Sequence, residues 1–346
     1  MRAGRVSRFG GPEVVEIVDV PTPRPQAGEV LVALRAAGLN RADVLVREGG
    51  FAAAPVPIVL GVEGAGEVAV LGTGVTGFAP GDRVVINPMV CDECPACAAG
   101  RDNECPNLRL VGEHFDGTYA EYIALPARNL LPAPDGLGYP ELAASVVAYM
   151  TAWHMLKTRA RVLPGETVLV VGAGSGVASA AVQVAKALGA TVIATTGTER
   201  KQQQVRALGA DKVVNYRQEP DFHESVRALT DGLGVDVVHE TVGRATVRKS
   251  ILSARRGGRM VGMGSHTGSL VELDLSSLYS REITLIGSHL ASRADIAEFL
   301  PLLADRTLRP VVDSVFGLED VAAAHARLDD PERFGKVVLA IPGVGA

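Results

Sequence analysis

The sequence predicts an α/β protein of two domains, a β-rich, barrel-like domain and a doubly wound parallel sheet. Three observations carry that expectation. The chain has 346 residues, 47% hydrophobic and 21% charged, enough for two cores at about 100–200 residues per domain. Up to about residue 127 it is rich in Gly, Pro and Val, with short strand patterns and few amphipathic helical ones. Beyond residue 128, strand and helix patterns alternate, as a doubly wound sheet requires.

The first domain reads as short strands punctuated by turns. Val30-Leu31-Val32-Ala33-Leu34 and Arg83-Val84-Val85-Ile86 are strand patterns, and Gly72-Thr73-Gly74 and Pro80-Gly81-Asp82 are turns. Residues 141–156 then predict a helix. Thr167-Val168-Leu169-Val170-Val171 is a continuous apolar run, the pattern of a buried parallel strand. A helix over 177–188, a strand over 191–194, a helix over 199–208, a strand over 212–214 and a helix over 221–230 follow. Gly189 and Gly209 stand just past two of these helices, where a C-terminal cap needs them. Strands over 235–238 and 259–262 continue the alternation. Helical patterns over 292–303 and 318–328 and a strand over 336–341 close the chain. Periodicity alone leaves open whether this end caps the sheet or returns to the first domain.

Charge narrows the function classes. With 34 basic and 39 acidic residues the net charge is −5, which argues against a nucleic-acid binder. Residues 1–11 lack the apolar core of a signal peptide. The uncharged stretch 167–185 approaches the length of a membrane span, but Gly172, Gly174, Ser175 and Gly176 split it into strand, turn and helix. The expectation is a cytoplasmic protein with a small-molecule substrate, no nucleic acid and no membrane.

The sequence Val170-Val171-Gly172-Ala173-Gly174-Ser175-Gly176-Val177 lies between a strand and a helix. Glycines there let the backbone approach a pyrophosphate, and the helix N-terminus favours its charge. Gly174, Ser175, Gly176 and Val177 are therefore expected to bind a dinucleotide. About 20 residues on, an NAD site usually carries a carboxylate for the ribose 2′-hydroxyl. Position 196 is Thr, and Arg200 and Lys201 follow. That charge pattern predicts NADP(H) over NAD(H), with Glu199 the one opposing carboxylate nearby.

All four cysteines fall in one stretch, Cys91, Cys94, Cys97 and Cys105, spaced C-x2-C-x2-C-x7-C. Four thiolates complete a tetrahedral zinc shell, so one structural zinc per chain is expected. Two disulfides or an iron–sulfur centre are the alternatives.

This combination resembles the medium-chain dehydrogenase/reductase superfamily, over essentially the whole chain. The most specific motifs are Gly61-Val62-Glu63-Gly64-Ala65-Gly66-Glu67-Val68, Pro80-Gly81-Asp82-Arg83-Val84, Gly117-Thr118-Tyr119-Ala120-Glu121-Tyr122, Thr151-Ala152-Trp153 and Gly335-Lys336-Val337-Val338. The resemblance implies a GroES-like catalytic domain over 1–127 and 292–346, with the zinc lobe at about 88–110, and a Rossmann domain over 128–291. It also implies a homodimer or homotetramer, with residues 281–287 as the pairing edge strand.

The family's catalytic zinc takes three protein ligands. At the matching positions stand Asn40, Val62 and Val147, and only the carboxylate Glu63 survives. Two aliphatic side chains and an amide cannot supply that shell. The chain thus looks like a member that kept the structural zinc and lost the catalytic one. Its zinc-free relatives reduce quinones and α,β-unsaturated carbonyls and carry Asn at the place of Asn40. In their NADPH sites, the positions of Lys201 and Tyr216 hold the 2′-phosphate. The alternatives are an alcohol or aldehyde dehydrogenase, and a non-catalytic NADPH-binding sensor. Asn40, as an amide donor, Thr151, at the nicotinamide, and Tyr149, as a proton donor, are the catalytic candidates. Met263 and Gly264 fall where relatives approach the nicotinamide. His114 and His154 read as a loop residue and a structural residue.

Overall fold

The computed structural model describes residues 1–50, 54–90 and 94–343, which separate into two compact units. The first comprises Met1–Val147 and Pro310–Ala346, the second Ala148–Arg309. The changeovers therefore fall at 147/148 and 309/310, not at the 127/128 and 291/292 expected from sequence. Packing explains both shifts. Helix Tyr139–Ala143 lies on strands of the first unit, and Val147 donates its backbone N–H to Glu63. Helix Arg293–Ala304 belongs to the second unit, where Phe299 meets the rings of Tyr149 and Trp153 and Asp295 bonds His154 Nδ1 at 2.8 Å.

The first unit is built on a seven-stranded sheet. Its order is Leu130–Pro132, Arg83–Ile86, Glu63–Leu71, Glu29–Gly38, Lys336–Ala340 and Val312–Gly317, with Tyr122–Pro126 also pairing with Glu29–Gly38. The chain's end does return: Lys336–Ala340 pairs antiparallel with Glu29–Gly38, setting Val338 opposite Gly38. Alternating Val30, Val32 and Leu34 join Leu60, Val84, Val337 and Leu339 in the core. Each such side chain contributes about 1.5–3 kcal/mol by leaving water. A short antiparallel pair, Met89–Val90 with Arg109–Leu110, underlies the cysteine segment.

The second unit carries a six-stranded sheet, parallel throughout. Its order is Lys212–Asn215, Thr191–Thr196, Thr167–Val170, Val235–Glu240, Ala254–Gly262 and Thr284–Gly287. The strand order reverses beside Thr167–Val170, the strand that feeds the glycine turn. That crevice is where open α/β sheets bind ligands. Thr284–Gly287 is an edge strand, as expected. The helix predicted over 141–156 is instead broken into Tyr139–Ala143, Val146–Trp153 and a π-helical turn His154–Arg159. Among the described residues no helix is long and apolar enough to cross a membrane.

Candidate active site and cofactor site

In the first unit, the Asn40 side chain and the Val147 backbone converge on one carboxylate. Glu63 is fully buried. Its Oε2 accepts from Val147 N at 2.9 Å, and its Oε1 accepts from Asn40 Nδ2 at 2.8 Å and from Lys336 Nζ. Lys336, itself buried, also donates to Asn40 Oδ1 (2.7 Å) and Leu39 O (2.6 Å), which uses all three ammonium protons. The second amide proton of Asn40 faces Gly38 O at 3.3 Å. Both ends of the Asn40 side chain are thus engaged within the protein. Lys336 stood in the closing Gly335-Lys336 motif, but its sequence position, 296 residues from Asn40, gave no sign that it belongs to this cluster.

Asn40 also starts helix Arg41–Arg47, where its N–H donates to Asp43 Oδ2 at 2.7 Å. The same oxygen accepts from Tyr119 OH at 2.9 Å. Burial pushes the Asp43 carboxyl up to about 6 and holds the Tyr119 phenol well above its usual range. Glu113 is a second buried carboxyl near this network, pushed up to about 7 by burial and then by the Asp43 charge. The neighbouring His114 is exposed, and its Nδ1 accepts from Leu110 N at 3.1 Å.

The cysteine lobe brings Cys94, Cys97 and Cys105 together, with their sulfurs within 4.8 Å of one another. Cys94 Sγ lies 3.5 Å from Cys97 Sγ and 3.6 Å from Cys105 Sγ. A disulfide needs about 2.05 Å. A tetrahedron with Zn–S bonds of about 2.3 Å has sulfur–sulfur edges near 3.8 Å, so this donor set fits zinc. Cys91, the fourth expected ligand, lies outside the described residues.

In the second unit the glycine turn caps the central strand. Gly172 sits at φ +68°, in the left-handed region that favours glycine. Its N–H donates to Thr195 Oγ1 at 3.0 Å, and Ala173 N to Thr195 O at 2.9 Å, which pins the turn to the neighbouring strand. Ser175 caps helix Gly176–Ala187 by accepting from Ala178 N at 3.2 Å. The N–H groups of Gly176 and Val177, in the first turn, have no acceptor inside the helix. Lys201 is buried against this turn: a Cβ placed on Gly174 would lie 3.3 Å from Lys201 Nζ. Arg200 is exposed in the first turn of the same helix, Glu199–Ala207.

Thr196 ends its strand opposite Asn215, and Tyr216 N donates to Thr196 O at 2.9 Å. Among the described residues, Thr196 Oγ1 is buried with no hydrogen-bond partner. So is Thr151 Oγ1, in helix Val146–Trp153. Met263 and Gly264 follow strand Ala254–Gly262; Met263 N donates to Glu240 O at 3.0 Å. These orphaned hydroxyls and the turn at the strand reversal fit a dinucleotide. Tyr149 is engaged elsewhere. Its OH donates to Arg309 O at 2.8 Å and accepts from Gln183 Nε2 at 2.9 Å, and burial pushes the phenol well up.

Comparison with known proteins agrees with both units. The pattern described as "Alcohol dehydrogenase GroES-like domain" matches residues 26–135, and "Zinc-binding dehydrogenase" matches 176–305. The chain is 34% identical to an acryloyl-coenzyme A reductase of Metallosphaera sedula, over 94% of this chain and 96% of that one. It superposes on the crystal structure of an NAD-dependent alcohol dehydrogenase with a TM-score of 0.96 and 44% identity, covering 99% and 100% of the two chains. A crotonyl-CoA carboxylase/reductase structure matches at TM-score 0.90 and 27% identity, over 98% of this chain and 88% of that one. The chain belongs to the zinc-type alcohol dehydrogenase-like proteins of the medium-chain dehydrogenase/reductase superfamily, and it is an oxidoreductase of that superfamily.

Proposed function

We propose that this enzyme is an NADPH-dependent reductase of conjugated carbonyl compounds, working without a catalytic zinc. The observation that carries the reading is the donor set around Glu63. Asn40, Val62 and Val147 occupy the metal-ligand positions, and the Glu63 charge is balanced by Lys336. A metal that acidifies an alcohol or polarises an isolated carbonyl needs three ligands and an open position. A conjugated acceptor needs less help, because hydride adds at the far carbon and the charge spreads onto the carbonyl oxygen, where hydrogen-bond donors stabilise it. Quinones, enones and enals are the substrate class. The acryloyl-CoA reductase relative acts on a conjugated thioester, which reacts in the same way.

NADP(H), when bound, supplies the hydride. Gly174, Ser175, Gly176 and Val177 hold its pyrophosphate; Thr196, Arg200, Lys201 and Tyr216 surround the adenosine ribose; Met263, Gly264 and Thr151 border the nicotinamide. Asn40 caps helix Arg41–Arg47 and holds the Glu63–Lys336 pair in place; the expected role as amide donor is set aside, because its amide protons face Glu63 and Gly38. Tyr149 fills a packing role, since its hydroxyl proton is given to Arg309 O. Zinc on the four cysteines holds the lobe. Subunits associate through the edge strand Thr284–Gly287.

Alcohol oxidation with NAD is the second reading, favoured by the 44% identity to an NAD-dependent alcohol dehydrogenase. Metal content and turnover on purified protein separate the two. One zinc per chain, with NADPH consumed by quinones or enones, is the expected result. Two metals per chain with efficient oxidation of primary alcohols by NAD would overturn the proposal.

A further inference from the structure

The NADPH reading leaves open which cation meets the 2′-phosphate. Resemblance pointed to Lys201, but the structure carries that ammonium to the glycine turn, against Gly174. A different pair of side chains covers the end of strand Thr191–Thr196. A Cβ placed on Gly197 would lie 2.6 Å from the Tyr216 hydroxyl oxygen and 3.1 Å from Arg217 Nε. The parallel register explains this meeting. Thr196 stands opposite Asn215, so the loops leaving the two strands run side by side. Asn215 Oδ1 then accepts from Arg217 N at 3.1 Å and turns the second loop back toward the first.

Among the described residues, the Arg217 guanidinium and the Tyr216 hydroxyl have no hydrogen-bond or ion-pair partner. Thr196 Oγ1, 1% exposed for its residue, has none either. A guanidinium offers a planar fork of donors that matches two phosphate oxygens, whereas an ammonium acts as a point charge. A glycine at 197 leaves open the space that any side chain would fill.

We propose that Arg217, with the Tyr216 hydroxyl and Thr196 Oγ1, forms the seat of the 2′-phosphate and is the residue that selects NADPH. Lys201 serves the glycine-turn side, where the pyrophosphate common to both cofactors binds. This assignment rests on the NADPH reading above and redistributes its contacts.

Calorimetric titration of the full chain tests it, with NADPH, NADH, 2′,5′-ADP and 5′-AMP as ligands. Arg217→Ala is expected to weaken NADPH and 2′,5′-ADP by about tenfold or more, the scale of a lost charged hydrogen bond. NADH and 5′-AMP binding stays unchanged, and Arg217→Lys recovers part of the loss. Lys201→Ala weakens NADPH and NADH alike. If the wild type prefers NADPH, and that preference survives Arg217→Ala but collapses in Lys201→Ala, the Arg217 assignment is overturned and the NADPH reading stands. Equal wild-type affinity for NADPH and NADH overturns both. Arg217 is exposed, so its loss does not open the core.

Discussion

Lys336 shows how a single residue can carry a local balance of charge. It is buried beside the buried Glu63 and gives its third proton to Asn40. Removing one partner of a buried ion pair leaves the other charge uncompensated, at a cost of about 3–5 kcal/mol. Lys336→Met is therefore expected to lower stability by that amount in urea unfolding. Adding Glu63→Gln should recover much of the loss, because the orphaned charge goes with it. A Lys336→Met protein that unfolds at the wild-type midpoint would show that the pair has no such role. Which side chains stand at 40, 62 and 147 was legible in the sequence, the first two from short motifs and the third by counting back from Thr151. The ion pair that balances Glu63 was not, because its second member lies 273 residues away and pairing over that distance leaves no local pattern.

The cysteine lobe makes the corresponding argument for an element. Among the described residues, its apolar cluster has Cys94 and Cys105 at the centre, with Ala96, Cys97 and Leu108 around them. Helix Pro95–Ala98 and the 3₁₀ turn Asp102–Glu104 are too short to hold themselves together. Metal binding is expected to supply the missing folding energy. Cys94→Ser should reduce the zinc found by elemental analysis and speed limited proteolysis within the lobe, leaving cofactor binding in the second unit intact. Unchanged metal stoichiometry would refute the structural-zinc assignment. Spacing made the lobe legible, as the continuous apolar run made strand Thr167–Val170 legible. The break in the 141–156 pattern was hidden. Almost every residue there is buried, so hydrophobicity shows no periodicity that would mark Ala144 as the end of one helix.

For the whole molecule, exposed apolar surface is the feature with a consequence. Leu270 and Tyr279 are 85% and 73% exposed, and Leu285 on the edge strand is exposed as well. An open strand edge carrying an exposed apolar side chain invites pairing with another copy. Sedimentation at micromolar concentration is expected to show a dimer or tetramer, and Leu285→Lys should shift it toward the monomer. A wild-type monomer would contradict this. The sequence by itself determined the two-part α/β architecture, the glycine turn and the cysteine set. Each is a short-range pattern of periodicity, spacing or residue type, and such patterns survive without coordinates. Only the tertiary structure decided the rest. It sent helix Arg293–Ala304 to the second unit and strands Val312–Gly317 and Lys336–Ala340 to the first. It also brought Lys336 to Asn40 and Arg217 to Gly197. Those choices depend on strand register and on which buried faces meet, interactions between distant segments whose partners become neighbours only when the chain has folded.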